Sequence, residues 1–277
     1  MRSLLFVPGD DARKLEKGLG TDADALIFDL EDSVAEANKD EARQITAQAL
    51  QATTDKLRFV RLNPFDTGRL PADLESALAG RPDGVVLPKA SSGHAVQRLA
   101  RLMDQAGADP ACSIIAIASE TPAAVQALSR DNWHHPRLQG MMWGAEDLAA
   151  ELGALRNRVD GQPTQPFRLA RNLALVAAKA AGVLAIDTVY ADFRDGAGLQ
   201  RECEEAAADG FDAKAAIHPA QLSIINNAYT PTPEAVAWAE KVVAIMSEAT
   251  TGVASLNGQM LDQPHLKQAM RILARLS

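Results

Sequence analysis

The sequence predicts an α/β chain closed into a (β/α)8 TIM barrel, with a C-terminal helical extension that serves as a lid. Three observations predict it. Eight short, β-rich apolar runs follow one another along the chain, helix-like segments separate them, and charged residues stand directly after the runs. An open doubly wound sheet is the rival architecture. The count of eight strands over some 220 positions favours closure.

The runs are Leu4–Val7, Ala25–Leu30, Phe59–Leu62, Gly84–Leu87, Ser113–Ala118, Gly140–Trp143, Val183–Val189 and Ala215–Ile217. Several are apolar at nearly every position, which suits parallel strands buried on both faces. Between them, Asn38 and Glu41 have the spacing of a capping box ahead of Ala42, Ile45 and Ala49. Thr121-Pro122 opens another helix, with Thr as cap and Pro at the first helical position. Thr232-Pro233-Glu234 begins a long helix carrying Val236, Trp238, Val242 and Ile245. Positions 150–165 and 250–262 read as loops, the second a lid before a last helix over His265–Leu276. Residues 1–230 are taken as the catalytic barrel and 231–277 as a helical extension of the same domain.

Bulk properties exclude several classes. The chain has 277 residues, 47% hydrophobic, and a net charge of −8, without the basic stripe that nucleic-acid binders carry. Two cysteines, Cys112 and Cys203, make no disulfide framework and read as thiols in a reducing cytosol. The apolar start Leu4–Val7 is too short for a signal-peptide core, and no stretch has the length of a membrane span. The expectation is a cytoplasmic protein with no nucleic-acid or membrane partner.

In such barrels the catalytic groups sit at the carboxyl ends of the strands. There this sequence places Pro8-Gly9-Asp10, then Asp29, Glu31 and Asp32, then Arg61 and Asn63, Lys89, Ser119-Glu120, Glu146-Asp147, Asp187 with Tyr190, and His218. Carboxylates with few histidines point to a hard cation such as Mg²⁺, which needs only one or two of them. Glu120 and Asp147 lie one βα unit apart and are candidates for one ion. Both also stand where acids cap helices. Arg61 is either a fork for a substrate carboxylate or a structural partner of Asp29 or Glu31. Lys89 has the residue type for a Schiff base, but ion pairing is the preferred reading because the acids already supply a metal site.

Other motifs fail. Gly18-Leu-Gly20-Thr-Asp-Ala23 matches a dinucleotide fingerprint in letters, yet follows a helix-like stretch and reads as a helix end. His134-His135 lacks metal spacing and reads as surface. Trp133, Trp143 and Trp238 read as core or interface rather than a binding platform.

Taken together, Arg2–Gly9, Leu26–Val34, Val60–Asn63, Leu87–Lys89, Ser119-Glu120, Gly144–Leu148 and Ala216–Pro219 resemble the citrate lyase beta-subunit-like family, within the aldolase/citrate lyase superfamily that includes malyl-CoA and citramalyl-CoA lyases. The match runs in order over nearly the whole chain. It implies a Mg²⁺-bound barrel assembling as homotrimers or hexamers. It implies Glu120 and Asp147 as metal ligands and Arg61 as the grip on the oxo acid. Pro8, Gly9, Lys14 and Lys89 fall on the side of the CoA or carrier arm. Asp262 matches a C-terminal acid that reaches a neighbouring subunit's site.

The chemistry implied is reversible cleavage of a 3-hydroxy-acyl thioester, such as citramalyl-CoA, malyl-CoA or a citryl thioester, into an acetyl thioester and a 2-oxo acid. Asp29, Glu31, Asp32 and Asp262 are the candidate acid–base groups. The alternatives are an aldolase acting on free 2-oxo acids, a malate-synthase-like or thioesterase activity, and a carrier-dependent subunit of a citrate lyase complex.

Overall fold

In a computed structural model, which describes residues 1–248 and 252–276, the chain forms two compact units, Met1–Asn226 and Asn227–Ser277. The first is a closed barrel of eight parallel strands. These are β1 (Ser3–Pro8), β2 (Ala25–Asp29), β3 (Leu57–Arg61), β4 (Gly84–Leu87), β5 (Ser113–Ile117), β6 (Leu138–Met142), β7 (Leu184–Asp187) and β8 (Ala213–Ala216). Each pairs with its neighbours in sequence, and β8 closes onto β1 through the register Ser3↔Lys214 to Leu5↔Ala216. All eight expected strands are present, each within a few residues of its expected bounds.

Strand alternation explains both the core and the site. Leu4, Ala25, Ile27, Phe59, Val86, Ile115, Ile117, Met142, Ile186, Ala213 and Ala215 fill the barrel interior. The residues between them, such as Leu26, Phe28 and Val85, are equally buried because the outer face carries helices. Hence the strands read as continuous apolar runs. Following the inward parity to the carboxyl ends, Ala25 and Ile27 lead to Asp29, Phe59 leads to Arg61, Ile186 to Thr188, and Ala215 to Ile217. The polar groups of the mouth are therefore the top layer of the same stack that makes the core.

Helix ends follow their caps. Thr121 accepts from the Ala124 N–H at 3.1 Å, with Pro122 in the first turn, as its sequence suggests. Gly20 ends the helix Ala12–Leu19, so the glycine pair there is a helix terminus and not a dinucleotide loop. The expected cap at Asn38 is absent. A 3-10 turn, Glu36–Asn38, runs directly into the helix Lys39–Ala49, so Asn38 is already helical and its side chain makes no capping bond.

The second unit packs the helices Pro233–Glu248 and Gln263–Leu273 around Ala239, Val242, Met246, Leu261 and Ala269. The segment expected to be a loop or lid contains a two-stranded antiparallel hairpin, Ala254–Leu256 with Gln259–Leu261. Positions 249–251 of that segment lie outside the described residues. A second hairpin, Arg158–Val159 with Gln162–Pro163, occupies the other expected loop. Among the described residues no helix is long and apolar enough to cross a membrane.

Candidate active site

The turn after β2 carries three acids and is braced from below. Asp29 accepts from the Glu31 N–H at 2.9 Å and the Ser33 N–H at 3.1 Å, which folds the turn around its carboxylate. The buried Lys39 ammonium donates to the Leu30 and Glu31 carbonyls, both at 2.7 Å, and to Asn63 Oδ1 at 2.9 Å. Asn63 is held in turn by Asp73, and its Nδ2 donates to the Leu30 carbonyl. Gly9 packs against this turn. A side chain there would meet the Asp29 carbonyl at 2.6 Å, and the Gly9 N–H donates to that oxygen.

Arg61 lies over this turn. Its Nε and Nη2 donate to Asp29 at 2.7 Å each, a two-pronged pair. Its Nη1 is 2.9 Å from Glu31 and 3.5 Å from Asp32, and its guanidinium rests 4.9 Å above the Phe6 ring. Of the two readings of Arg61 left open above, the fork belongs to Asp29, and Nη1 is the donor directed toward the other acids. The Arg61 charge holds the Asp29 carboxyl below the usual carboxylate range against the opposing effect of burial. Glu31 is affected differently: burial outweighs its two cationic neighbours and raises its carboxyl to about 6.

Across the mouth, Glu120 is almost fully buried and its carboxylate accepts the backbone N–H of Lys89. Burial and the nearby Glu31 and Asp147 raise its pKa to about 8. Gly144 makes that position possible, since a Cβ there would lie 2.6 Å from the Glu120 Cγ. Ser119 Oγ accepts the Gly144 N–H at 3.1 Å and ties the two strand ends together. Asp147 sits in the first turn of the helix Glu146–Leu152 with its carboxylate 3.2 Å from the Lys89 ammonium. The same ammonium donates to Glu31 at 2.9 Å. Lys89 is thus ion-paired, with its pKa raised by these acids. A Schiff-base lysine needs the opposite, a readily neutralised amine.

A cavity of about 360 Å³ opens between these groups. Its floor is the inward layer of Phe6, Ile117 and Met142, and its walls include Pro8, Asp29, Asp32, Arg61, Glu120, Asp147, Thr188 and Ile217. A larger hollow of about 850 Å³ lies at the amino-terminal ends of β4 and β5, lined by Arg81, Pro82, Asp83 and Cys112. It gathers no comparable set of acids, so volume alone does not identify the site. Phe6, Ile117, Met142, Thr188 and Ile217 carry no signal of their own in the sequence, although strand parity points to them. Trp143, expected as core or interface, has a buried indole that also lines the cavity and donates to Asp187 at 2.6 Å. Nothing in the sequence marks Lys39 as the brace beneath Glu31.

Lys14 and Gly9, both expected residues, do not line the cavity. Lys14 is exposed and faces Asp11 at 3.5 Å. Gly9 acts through packing. Asp262 belongs to the second unit, where it caps the helix Gln263–Leu273 and pairs with His265 at 2.6 Å. Cys112 and Cys203 are buried free thiols, raised to about 11 and about 12 by burial, so they stay protonated.

The donor set fits a divalent oxygen-liking ion. Glu120 and Asp147 present carboxylates from adjacent strand ends, and the only ammonium among them is that of Lys89. Among the described residues no group of three or more His, Cys, Asp or Glu side chains is arranged to hold a metal ion by itself. Mg²⁺ does not need one, since it keeps several positions for water and substrate.

Residues 2–219 match the model of the HpcH/HpaI aldolase/citrate lyase family. The chain belongs to that family. Residues 167–277 also match a model described as a carbon–carbon bond lyase of the TIM-barrel fold. Within the family, the chain is 38% identical to a (3S)-malyl-CoA thioesterase of Cereibacter sphaeroides, over 99% of this chain and 94% of that one. It is 35% identical to the mitochondrial citramalyl-CoA lyase of Rattus norvegicus, over 98% and 85%. It is 36% identical to the citrate lyase subunit beta of Escherichia coli, over 99% and 92%. Among solved structures, protein CitE from Mycobacterium tuberculosis in complex with magnesium, acetoacetate and coenzyme A has a TM-score of 0.82 and 37% identity, covering 99% of this chain and 97% of that one. Family membership makes this protein an enzyme of the carbon–carbon lyase class.

Proposed function

We propose that the protein is a Mg²⁺-dependent lyase that reversibly cleaves a 3-hydroxy-acyl thioester, such as citramalyl-CoA, malyl-CoA or a citryl thioester, into an acetyl thioester and a 2-oxo acid. The observation that carries this reading is the meeting of Glu120, Asp147 and Arg61 around one cavity at the carboxyl ends of the strands, with Glu31 and Lys89 ion-paired to them. Relatives named for CoA thioesters, and a structural neighbour holding magnesium and coenzyme A, support the substrate class.

Glu120 and Asp147 would hold Mg²⁺, which when bound would supply Lewis-acid polarisation at the hydroxy-acid end of the substrate. Glu31 accepts the hydroxyl proton on a carboxylate oxygen. Its pKa near 6 leaves it ionised at neutral pH, yet basic enough to act. As that proton leaves, the carbon–carbon bond breaks. The hydroxyl carbon becomes the 2-oxo carbon, and the bonding pair passes to the carbon beside the thioester. Arg61 Nη1 donates to the developing enolate oxygen, and Asp29 fixes the guanidinium plane so that Nη1 faces inward. Glu31 then returns the proton to the enolate carbon and restores its own carboxylate. Pro8 lines the cavity on the side assigned to the thioester arm, and Gly9, Lys14 and Lys89 are the further residues assigned to that arm. Asp262 is assigned as the acid contributed by a neighbouring subunit of a homotrimer or hexamer, with the Asp262–His265 pair setting its orientation.

Incubation of the purified protein with Mg²⁺ and each of the three thioesters, followed by mass spectrometry, tests the reading. Acetyl-CoA appearing with pyruvate, glyoxylate or oxaloacetate, and lost with EDTA, is the expected result. A second reading, thioester hydrolysis, rests on the 38% identity to a malyl-CoA thioesterase. Release of free CoA without a 2-oxo acid would establish it in place of cleavage. Absence of both products from a folded, Mg²⁺-binding protein would point to a carrier-dependent subunit or an aldolase of free acids.

A further inference from the structure

Lys89 touches three of the acids at the mouth. Its backbone N–H donates to Glu120, and its ammonium lies 2.9 Å from Glu31 and 3.2 Å from Asp147. Its backbone φ is +50°, a left-handed conformation uncommon for a side chain of this kind. Ala90 N–H, bonded to the Ile117 carbonyl at 3.0 Å, fixes the chain just beyond it. The kink lets one residue present its N–H to Glu120 and its amine to Asp147.

The charge balance of the mouth is uneven. Among the described residues, Asp29, Glu31, Asp32 and Asp147 pair with two cations, Arg61 and Lys89, and Glu120 takes the Lys89 backbone N–H instead. Arg61 is nearly buried and is held by Asp29 and Glu31. Lys89 is 30% exposed at the end of a flexible stem, as is Asp147, its partner. Of the two cations, only Lys89 is free to leave.

We propose that the Lys89 ammonium is a placeholder cation, neutralising Asp147 in the metal-free protein and withdrawing onto Glu31 when Mg²⁺ enters. The inference rests on the reading of Glu120 and Asp147 as the metal ligands. It makes metal binding an exchange of cations, in which part of the attraction for Mg²⁺ is spent on displacing an internal charge.

Calorimetric titration of the metal-free full-length protein with Mg²⁺ tests this without any substrate. Lys89→Met keeps the backbone N–H and the stem length and removes the charge. Its Kd for Mg²⁺ is expected to tighten about tenfold at low ionic strength, as removal of a like charge a few ångströms away implies. The gain should shrink in high salt because the pair is partly exposed. The metal-free variant should also melt lower than wild type and rise further on adding Mg²⁺. Lys89→Arg, which keeps a cation, should bind Mg²⁺ like wild type. An unchanged or weaker Kd for Lys89→Met, alongside normal binding by wild type, would overturn the placeholder alone. Failure of the folded wild type to bind Mg²⁺ would remove the metal site and the placeholder with it. Should Lys89→Met not fold, Lys89→Gln carries the same test.

Discussion

Replacing Glu120 with Gln separates the electrostatics of the mouth from its shape. The carboxyl is 3% exposed, and its pKa is raised from 4.5 to about 8 by burial and by two neighbouring acids. The folded protein therefore holds this proton more tightly than the unfolded chain does. The contribution is fully present below about pH 4.5 and is lost as pH rises through about 8. A shift of that width, at about 1.4 kcal/mol per pH unit, is worth about 4 to 5 kcal/mol at full development. Glu31, raised to about 6, acts in the same direction, and Asp29, held low, acts in the opposite one. The difference between wild type and Glu120→Gln cancels those background terms. Urea unfolding of both proteins in EDTA, from pH 5 to pH 9, should show wild type losing stability relative to the variant up to about pH 8 and holding a constant deficit above it. In Mg²⁺ the order reverses, because the ion needs the ionised carboxylate. Wild-type affinity should rise about tenfold per pH unit up to about 8 and then level off, while the variant binds weakly throughout. Parallel stability curves for the two proteins in EDTA would refute the burial argument. Undiminished Mg²⁺ affinity in the variant would remove Glu120 from the metal site.

Gly144→Ala places a Cβ 2.6 Å from the Glu120 Cγ, about an ångström inside ordinary contact. Overpacking of this kind costs about 1–3 kcal/mol, and the displaced ligand should weaken Mg²⁺ binding by about 10–100-fold in a titration. Asp147→Ala removes a partly exposed carboxylate, so its melting temperature should stay near wild type while Mg²⁺ binding is lost by calorimetry. Arg61→Lys leaves Asp29 and Glu31 with one compact ammonium in place of three directed contacts. Thioester cleavage should fall by at least about 100-fold while Mg²⁺ affinity is kept, and cleavage at the wild-type rate would show that no fork is needed there.

The barrel was legible because its strands are buried on both faces and leave long apolar runs that a loop cannot mimic. The strand-end charges were legible as a set, because several charged residues end apolar runs on one side of the barrel, although Asp187, which also ends such a run, belongs to the wall. The cavity floor was not, since Phe6, Ile117 and Met142 look like any other core residue until parity is followed upward. Lys39 could not be found, as its partners are backbone carbonyls, which the sequence does not display. The two hairpins were missed despite a usable signal. Asp160-Gly161 and Asn257-Gly258 all adopt positive φ, the conformation of the tight two-residue turn that such pairs favour. Their flanking strands are two or three residues long, too short for alternation to register. The use of Arg61 depended on distances. One residue type serves as a substrate fork or as an internal ion pair, and only the 2.7 Å contacts to Asp29 decide which edge of the guanidinium is taken.

A second buried charge cluster lies beside the mouth, and the contrast between the two locates function. Lys214, fully buried on β8, donates to Asp187 at 2.9 Å, to Glu202 at 2.7 Å and to the Thr188 carbonyl at 2.7 Å. Asp187 also accepts from Trp143 and Arg171, and Glu202 is paired with Arg158. With Asp209, which pairs with Arg171 at 2.8 Å, three acids here meet three cations. Asp187 is held well below the usual carboxylate range and Lys214 above the usual amine range, so both stay charged at any working pH. Such a set, with its charges matched and hydrogen-bonded, is a fixed part of the wall. It holds the Trp143 indole, and hence the backbone entering Gly144, beneath Glu120. At the mouth the balance runs the other way. Acids outnumber cations, two of the carboxyls are pushed upward, and one side of the cluster opens to a cavity. An excess of acids that the fold does not itself pair is met by protons, as the raised Glu120 and Glu31 carboxyls show, or by a cation that displaces them. The mouth of the barrel is built to receive a cation, and the wall beside it is built to stay as it is.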